Sequence, residues 1–283
     1  MKTKLIRMDE QHIDTALIKE AGDMIRAGGL VAFPTETVYG LGGDALNPSS
    51  SEKIYRAKGR PSDNPLIIHI ADMEALDKIV LEVPESAVKL AKWFWPGPLT
   101  MIFYKSGFVP RETTGGLDTV AVRMPAHRVA RELIRAAGGY VAAPSANRSG
   151  RPSPTVAKYV VQDMDGRVEM IIDGGDVDIG LESTIVDLTT EKPVILRPGY
   201  ITRQMLEQVL MEVEEDSTMM RDDSGQAPRA PGMKYRHYAP KGDLTVVDGE
   251  AESVITYINT QVAKMQDDNK ITGVIATDAS VSR

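Results

Sequence analysis

The sequence predicts a three-layer α/β domain with a twisted, mixed sheet over roughly residues 1–210. Short apolar runs alternate there with segments of helical period, the pattern of a sheet covered by helices. Several apolar runs follow one another with no helix between them, which a purely parallel sheet does not allow. A hydrophobic content of 42% over 283 residues is ample for a core.

The elements follow in order. Residues 11–28 have a helical period, with Leu17, Ala21, Met24 and Ile25 on one face and Gly28 as the cap. Leu30–Phe33 reads as a buried strand that Pro34 ends, because proline has no N–H to give the ladder. Thr35, Glu36 and Thr37 then leave the sheet edge, and the glycine-rich run Tyr39–Gly43 reads as a loop that lets backbone approach a ligand. Ser49–Ser51 before Glu52 resembles a capping box, so a helix runs to about Lys58. Leu66–Ile70 is the next strand, with His69 near its carboxyl end. Helices are expected near 72–80 and 84–94, strands at Leu99–Lys105 and Thr119–Met124, a helix at Ala126–Ala137 and a short strand at Tyr140–Ala143. The loop PSANRSGRPSP leads to a helix from about Pro154. Strands at Glu169–Asp173, Thr184–Leu188 and Val194–Arg197 precede a helix at Thr202–Met211.

Residues 211–240 read as a linker, acidic and poor in apolar side chains as far as 230. Within it Pro231–Pro240, PGMKYRHYAP, stands out with two tyrosines, a histidine and two basic residues between prolines. Residues 241–283 read as the start of a small C-terminal α/β domain: strand Leu244–Val247, helix near 251–264, strand Ile271–Ala276. So short a βαβ unit builds little core alone.

Composition narrows the chemistry. The chain has no cysteine, which removes disulfides, thiolate nucleophiles and cysteine-held metals. Its four histidines are scattered, with no H-E-x-x-H pair. Residues 1–210 carry 25 Lys and Arg against 27 Asp and Glu, so no bulk field attracts polyanions; residues 211–283 carry 8 against 13. No apolar run approaches a membrane span, and MKTKLIRMDE lacks a signal-peptide core, so a cytoplasmic protein is expected.

Four apolar strands each end at a proline beside a polar group: Phe33-Pro34-Thr35, Arg123-Met124-Pro125, Ala143-Pro144-Ser145 and Arg197-Pro198-Gly199. If these ends share the ligand-binding edge of an open sheet, Lys58, Arg60, Arg123, Arg197, Ser145 and Asn147 surround one pocket suited to phosphate oxygens. His69 is either a satisfied structural histidine or part of that pocket. Two patterns do not carry chemistry. Gly40-Leu-Gly-Gly-Asp-Ala45 matches a loose dinucleotide fingerprint, but its helix starts several residues too late. Ser145 has no nucleophile elbow and no neighbouring base. No P-loop occurs.

Taken together, AFPTETVYGLG, KGRPSDNPLIIHI, WPGPLT, LDTVAVRMPAH, APSANRSGRPSPT, IIDGG, ESTIVDL and ILRPG resemble the threonylcarbamoyl-AMP synthase family, with its YrdC-type fold. The resemblance spans nearly all of residues 5–205. PGMKYRHYAP and the α/β start after it resemble the family's long form, whose linker leads to a C-terminal Rossmann-like domain; here that last domain is much shorter. The resemblance implies that L-threonine, bicarbonate and ATP give threonylcarbamoyl-adenylate and pyrophosphate. A downstream tRNA-modifying threonylcarbamoyl transferase would consume the product. It also implies an ATP site at Lys58, Arg60, Asn64, Thr119, Ser145, Asn147, Ser153 and Arg197, with Tyr235 and His237 on a lid at 231–240. An L-threonine site is implied at Thr37, His69, Arg123, Ala143 and Ser183. Mg²⁺ would arrive with ATP, and weak RNA contact is allowed. No protein nucleophile is required, since positioning and anion stabilisation suffice. Two rivals are an RNA-binding module, against which the charge balance argues, and a carbamoyl-adenylate enzyme like the hydrogenase-maturation carbamoyltransferases, whose cysteine zinc fingers are missing.

Overall fold

The computed structural model describes residues 1–216 and 242–276, and the chain divides into two compact units, Met1–Tyr238 and Ala239–Arg283. The first unit runs β1 (Lys4–Arg7), α1 (Thr15–Arg26), β2 (Val31–Phe33), β3 (Gly40–Asp44), α2 (Pro48–Lys58) and β4 (Ile67–His69). A 3₁₀ turn at Met73–Ala75 leads into α3 (Leu76–Ile79), then α4 (Glu85–Phe94), β5 (Leu99–Tyr104), β6 (Thr119–Arg123), α5 (Arg128–Ala136) and β7 (Val141–Ala142). After these come α6 (Ala157–Met164), β8 (Met170–Asp173), β9 (Thr184–Asp187), β10 (Val194–Arg197), α7 (Arg203–Leu210) and β11 (Glu214–Glu215). The strands form one mixed sheet in the order β1-β8-β2-β3-β7-β4-β6-β5-β9-β10-β11.

The two faces of the sheet are clothed differently. On one face Ala32, Leu41, Ile68, Met101, Val122 and Val186 pack against residues of α2, α3, α4, α6 and α7, among them Ile54, Leu76, Leu90, Val160 and Leu206. On the other, Val31, Phe33, Val141, Met170 and Ile172 pack against Ile18 and Ile25 of α1 and Val129 and Leu133 of α5. The alternation of Val31, Ala32 and Phe33 between these cores is the period of a strand. Farther along that second face, Ile67, Ile102, Ala121, Ile185 and Leu196 form a separate cluster joined by no residue of a described helix. The third layer therefore spans only part of the sheet, and a cavity opens beside the stretch it leaves.

Several local expectations change. Residues 40–44 are a strand, and of the run expected to approach a ligand only Tyr39 and Gly40 line the cavity. A Cβ on Gly40 would lie 3.0 Å from the Phe33 ring, and one on Gly42 would lie 2.8 Å from Val141 and 2.9 Å from Phe33. Those glycines make room for a core aromatic across the β2–β3 pair. The cap of α2 is Asn47, whose side chain accepts from the Ser49 N–H, with Pro48 opening the helix. The serines lie inside it, where Ser51 Oγ meets Thr113 Oγ1 at 2.8 Å. Helix α1 starts at Thr15 rather than residue 11, because the Asp14 carboxylate caps Ala16 and Leu17. Strand β1, with two apolar residues, forms by pairing in parallel with β8. The region read as linker also begins with order, since β11 pairs with β10.

In the second unit the described residues contain α8 (Ala251–Asp267), matching the helix expected there. Leu244–Val247 and Ile271–Ala276 are not strands: no ladder reaches them among the described residues, and Leu244, Val246, Ile271 and Ile275 are exposed. A strand needs a partner before its apolar pattern has consequence. The segment 231–240, with Tyr235 and His237, lies outside the described residues.

Candidate functional site

Residues from seven separate segments line one open cavity. Of the expected site residues, Thr37, Lys58, Arg60, His69, Arg123, Ala143, Ser145, Asn147, Ser183 and Arg197 all reach it. Asn64, Thr119 and Ser153 do not line it. Asn64 is buried, its carboxamide has no hydrogen-bond partner, and its carbonyl accepts from Tyr55 Oη at 3.1 Å. Thr119 is at the opposite end of β6 from Arg123.

The convergence is not the shared strand-end edge that the prolines suggest. Strand β3 is antiparallel to both β2 and β7, so these two run in one sense. Strand β7 is antiparallel to β4, and β4 is parallel to β6, so these run in the other. Polar groups from both sets meet over the second face instead. Ile67 and His69 share that face by strand alternation, and Arg123 lies in register beside His69. Arg197 reaches it through a β-bulge. Ile195 pairs with Val186 and Arg197 with Ile185, so Leu196 is the extra residue. Strict alternation would turn Arg197 away with Ile195; the bulge re-aims it.

At one end of the cavity a buried network joins Arg123 of β6 and His69 of β4 to the turn after β2. Arg123, 4% exposed, donates from Nε to the Gly97 carbonyl at 3.2 Å, from Nη1 to Thr37 Oγ1 at 2.9 Å and from Nη2 to Glu36 Oε1 at 2.7 Å. Burial pushes the Glu36 carboxyl up, but the Arg123 charge and hydrogen bond outweigh it and hold the group below its ordinary value. Thr35 Oγ1 donates its one proton to the Val38 carbonyl at 2.7 Å. Thr37 is therefore the donor in the 2.9 Å contact between the two hydroxyls, and it accepts from Arg123. His69 Nδ1 lies 3.2 Å from the Ile67 carbonyl, which can only accept, so Nδ1 carries the proton and Nε2 is left an acceptor. Burial and then the Arg123 charge push its pKa down to about 3, so the ring is neutral at pH 7.

The other end hangs from loops and a helix terminus. Gly59, at φ +63°, caps α2 in the left-handed conformation and turns the chain between Lys58 and Arg60. The Lys58 ammonium donates to the carbonyls of Ser145 and Asn147, the latter at 2.6 Å, and to Asn147 Oδ1 at 3.2 Å. All three of its donors thus fasten the loop after β7. Burial, and secondarily Arg60, pull its pKa well below the usual lysine value, while Asp163 opposes them. Ser145 Oγ donates to Asn147 Oδ1 at 2.5 Å. Arg60 Nη2 reaches the Pro65 carbonyl at 3.1 Å. Arg197 grips Ser183, with Nη2 2.9 Å from its carbonyl and 3.1 Å from Oγ, and Ser183 Oγ meets Thr100 Oγ1 at 2.7 Å.

No role here was read from the sequence for Glu182, the one carboxylate on the lining, or for Ser149 and Gly150. Glu182 directly precedes Ser183, which was the available signal. The pairing of Glu36 with Arg123 joins residues 87 apart and leaves no mark in local spacing.

Comparison with known proteins gives the family of the chain. The Sua5–YciO–YrdC family model, described as "Telomere recombination", matches residues 23–199, and the model "Threonylcarbamoyl-AMP synthase, C-terminal domain" matches 201–283. The chain is 51% identical over 267 residues to a threonylcarbamoyl-AMP synthase of Pyrococcus abyssi, covering 94% of this chain and 78% of that protein. To the Bacillus subtilis protein of the same name it is 45% identical, covering 95% and 77%. It superposes on the crystal structure of P. abyssi Sua5 complexed with L-threonine with a TM-score of 0.89 at 48% identity, covering 98% of this chain and 82% of that one.

Proposed function

This chain belongs to the threonylcarbamoyl-AMP synthase family, and from that premise we propose how its cavity divides the substrates. Its activity is the family's: L-threonine, bicarbonate and ATP yield L-threonylcarbamoyladenylate and pyrophosphate for the threonylcarbamoyladenosine modification of tRNA. We assign it to the nucleotidyltransferases, because an adenylyl group moves from ATP to a carbamate oxygen.

The observation that carries the division is the contrast between the cavity's ends. Thr37, His69 and Arg123 belong to the strand-end network and, with Ala143 and Ser183, are assigned to L-threonine; Ser183 also meets Arg197. Lys58, Arg60, Ser145, Asn147 and Arg197 are assigned to the triphosphate. Asn64, Thr119 and Ser153, outside this lining, are proposed to contact the rest of the nucleotide. The neutral threonine amine attacks bicarbonate and water leaves, carrying off the amine proton, to give the carbamate; a carbamate oxygen then attacks the α-phosphorus as pyrophosphate leaves. Arginine N–H groups and hydroxyls offset the charge that gathers on the phosphoryl oxygens. No step forms a bond to the protein. His69 Nε2 and Thr37 Oγ1 can only accept, so they suit the amine's N–H groups rather than a carboxylate.

The lining offers one carboxylate, Glu182, against four cationic side chains. Mg²⁺ is accordingly proposed to arrive on the ATP phosphates rather than in a preformed site. The product's acceptor is proposed to be a tRNA-modifying threonylcarbamoyl transferase. No helix among the described residues is long and apolar enough to cross a membrane, and a cytoplasmic location is proposed.

The test is pyrophosphate release from ATP and bicarbonate, with and without L-threonine, for wild type and Lys58→Ala. Threonine-dependent release is expected in the wild type and near-complete loss in the variant. Release that ignores threonine would overturn the division.

A further inference from the structure

Glu36 has no part in the division above, yet it is the anionic terminus of the network that ends in Arg123. Its side chain is 9% exposed and Arg123's is 4%, so the pair lies away from water. An arginine has five N–H donors. The contacts to Gly97, Thr37 and Glu36 use one on Nε, one on Nη1 and one on Nη2. One N–H on each Nη remains for a ligand carboxylate. The Glu36 main chain is tied down as well: its carbonyl accepts from the Ile179 N–H at 3.0 Å, and the Thr37 carbonyl accepts from Gly180 at 3.1 Å. The turn after β2 that carries Glu36 thus also holds the loop leading to Glu182 and Ser183.

We propose that Glu36 is the positioning residue of the amino-acid half of the site, holding Arg123 so that its two remaining N–H groups and the Thr37 oxygen present one fixed pattern to the substrate amino acid. Without the carboxylate, only the neutral oxygens of Gly97 and Thr37 restrain the guanidinium, and rotation about its last bonds would scatter that pattern. The ion pair also lets a charged guanidinium stay in a dry pocket before substrate arrives, so that it is in place rather than recruited. A merely structural pair would behave differently on removal, impairing both substrates alike. The proposal rests on the assignment of Arg123 to the amino acid.

The experiment compares Glu36→Gln and Glu36→Asp with wild type, reading KM for L-threonine, KM for ATP, kcat and threonine binding without ATP by calorimetry. For Glu36→Gln the threonine KM is expected to rise about tenfold or more, with the ATP KM and the kcat at saturating threonine within about threefold. Glu36→Asp keeps the charge but is one methylene shorter, and is expected to fall between. If Glu36→Gln does not fold, Glu36→Asp decides alone. Wild-type threonine affinity in a folded variant would overturn the proposal. So would equal rises in both KM values, or failure of both variants to fold, which would assign the pair to stability. Arg123→Lys tests the underlying assignment separately: if it leaves the threonine KM unchanged, the reading of Arg123 fails whatever the Glu36 variants show.

Discussion

The two ends of the cavity bury positive charge in different ways. At the strand end Arg123 is matched by a formal negative charge, Glu36, 2.7 Å away. At the loop end Lys58 is hydrogen-bonded to carbonyl oxygens that carry only partial charge, and the Asp163 carboxylate acts on it without an ion-pair contact. Both side chains are 4% exposed, so burial is not what separates them. The compensation differs, and with it what each group can do. A paired arginine is neutralised in place and fixed in direction, suiting a small substrate with one correct pose. A lysine held by carbonyls keeps its loop in position, and its depressed pKa recovers when an anion arrives, because a nearby negative charge favours the ammonium.

That comparison is most easily broken by deleting each cation in turn. Arg123→Met leaves the Glu36 carboxylate buried without a counter-charge, and loss of about 3–5 kcal/mol of stability is expected in urea unfolding. The double variant Arg123→Met/Glu36→Gln should recover a large part of that loss, since neither charge of the pair remains. Lys58→Met leaves neutral carbonyls, and a smaller loss of about 1–3 kcal/mol is expected. Equal losses for the two single variants would show that the ends do not differ in kind.

A pH series sharpens the strand end. His69 has a folded pKa of about 3 against 6.5 for the free side chain. The unfolded chain therefore binds more protons between those values, and stability is full above about pH 6.5 and falls as pH drops toward 3. Between pH 6.5 and 5 the expected loss from this residue is about 1–2 kcal/mol. The window lies above the Glu36 titration, whose pKa is held below 4.5. His127 is also lowered, by burial before the opposing carboxylates Glu10, Glu36 and Asp178, and contributes in the same direction. The difference between wild type and His69→Asn isolates His69; identical slopes for the two proteins would contradict its neutral, buried assignment.

The strand end was the less legible of the two in the sequence. Lys58 and Arg60 flank a glycine at a helix end, and Ser145 and Asn147 sit two apart after a proline, so local chemistry alone drew attention to both pairs. Arg123 was drawn to the pocket by its place at a proline-terminated strand end, Thr37 needed the family resemblance, and Glu36 as a partner was not legible at all, because the contact depends on which strands neighbour each other. Strand β3 was lost for a related reason. A glycine run reads as a loop until the Phe33 ring that fills its missing side chains is known. Arg197 was expected at the site, but the bulge that turns it there depends on the register with β9. In the C-terminal unit the helix was legible from its own period, whereas the strands expected on either side of it depended on partners that local sequence could not supply.

The smallest expected effect tests whether the loop end is held by backbone or by side chains. Lys58 grips the main-chain carbonyls of Ser145 and Asn147, so removing the Ser145 hydroxyl leaves the principal anchor intact. What Ser145→Ala removes is one hydrogen bond, the 2.5 Å contact to Asn147 Oδ1, which then still accepts from Lys58. A stability loss of no more than about 1 kcal/mol is expected. The ATP KM should rise by a factor of a few through the lost hydroxyl, with the threonine KM unchanged, because that substrate is read at the strand end. If Ser145→Ala instead lost as much stability as Lys58→Met, the loop would depend on its side chains. The lysine would then be one contact among several rather than the tie that holds this end of the cavity together.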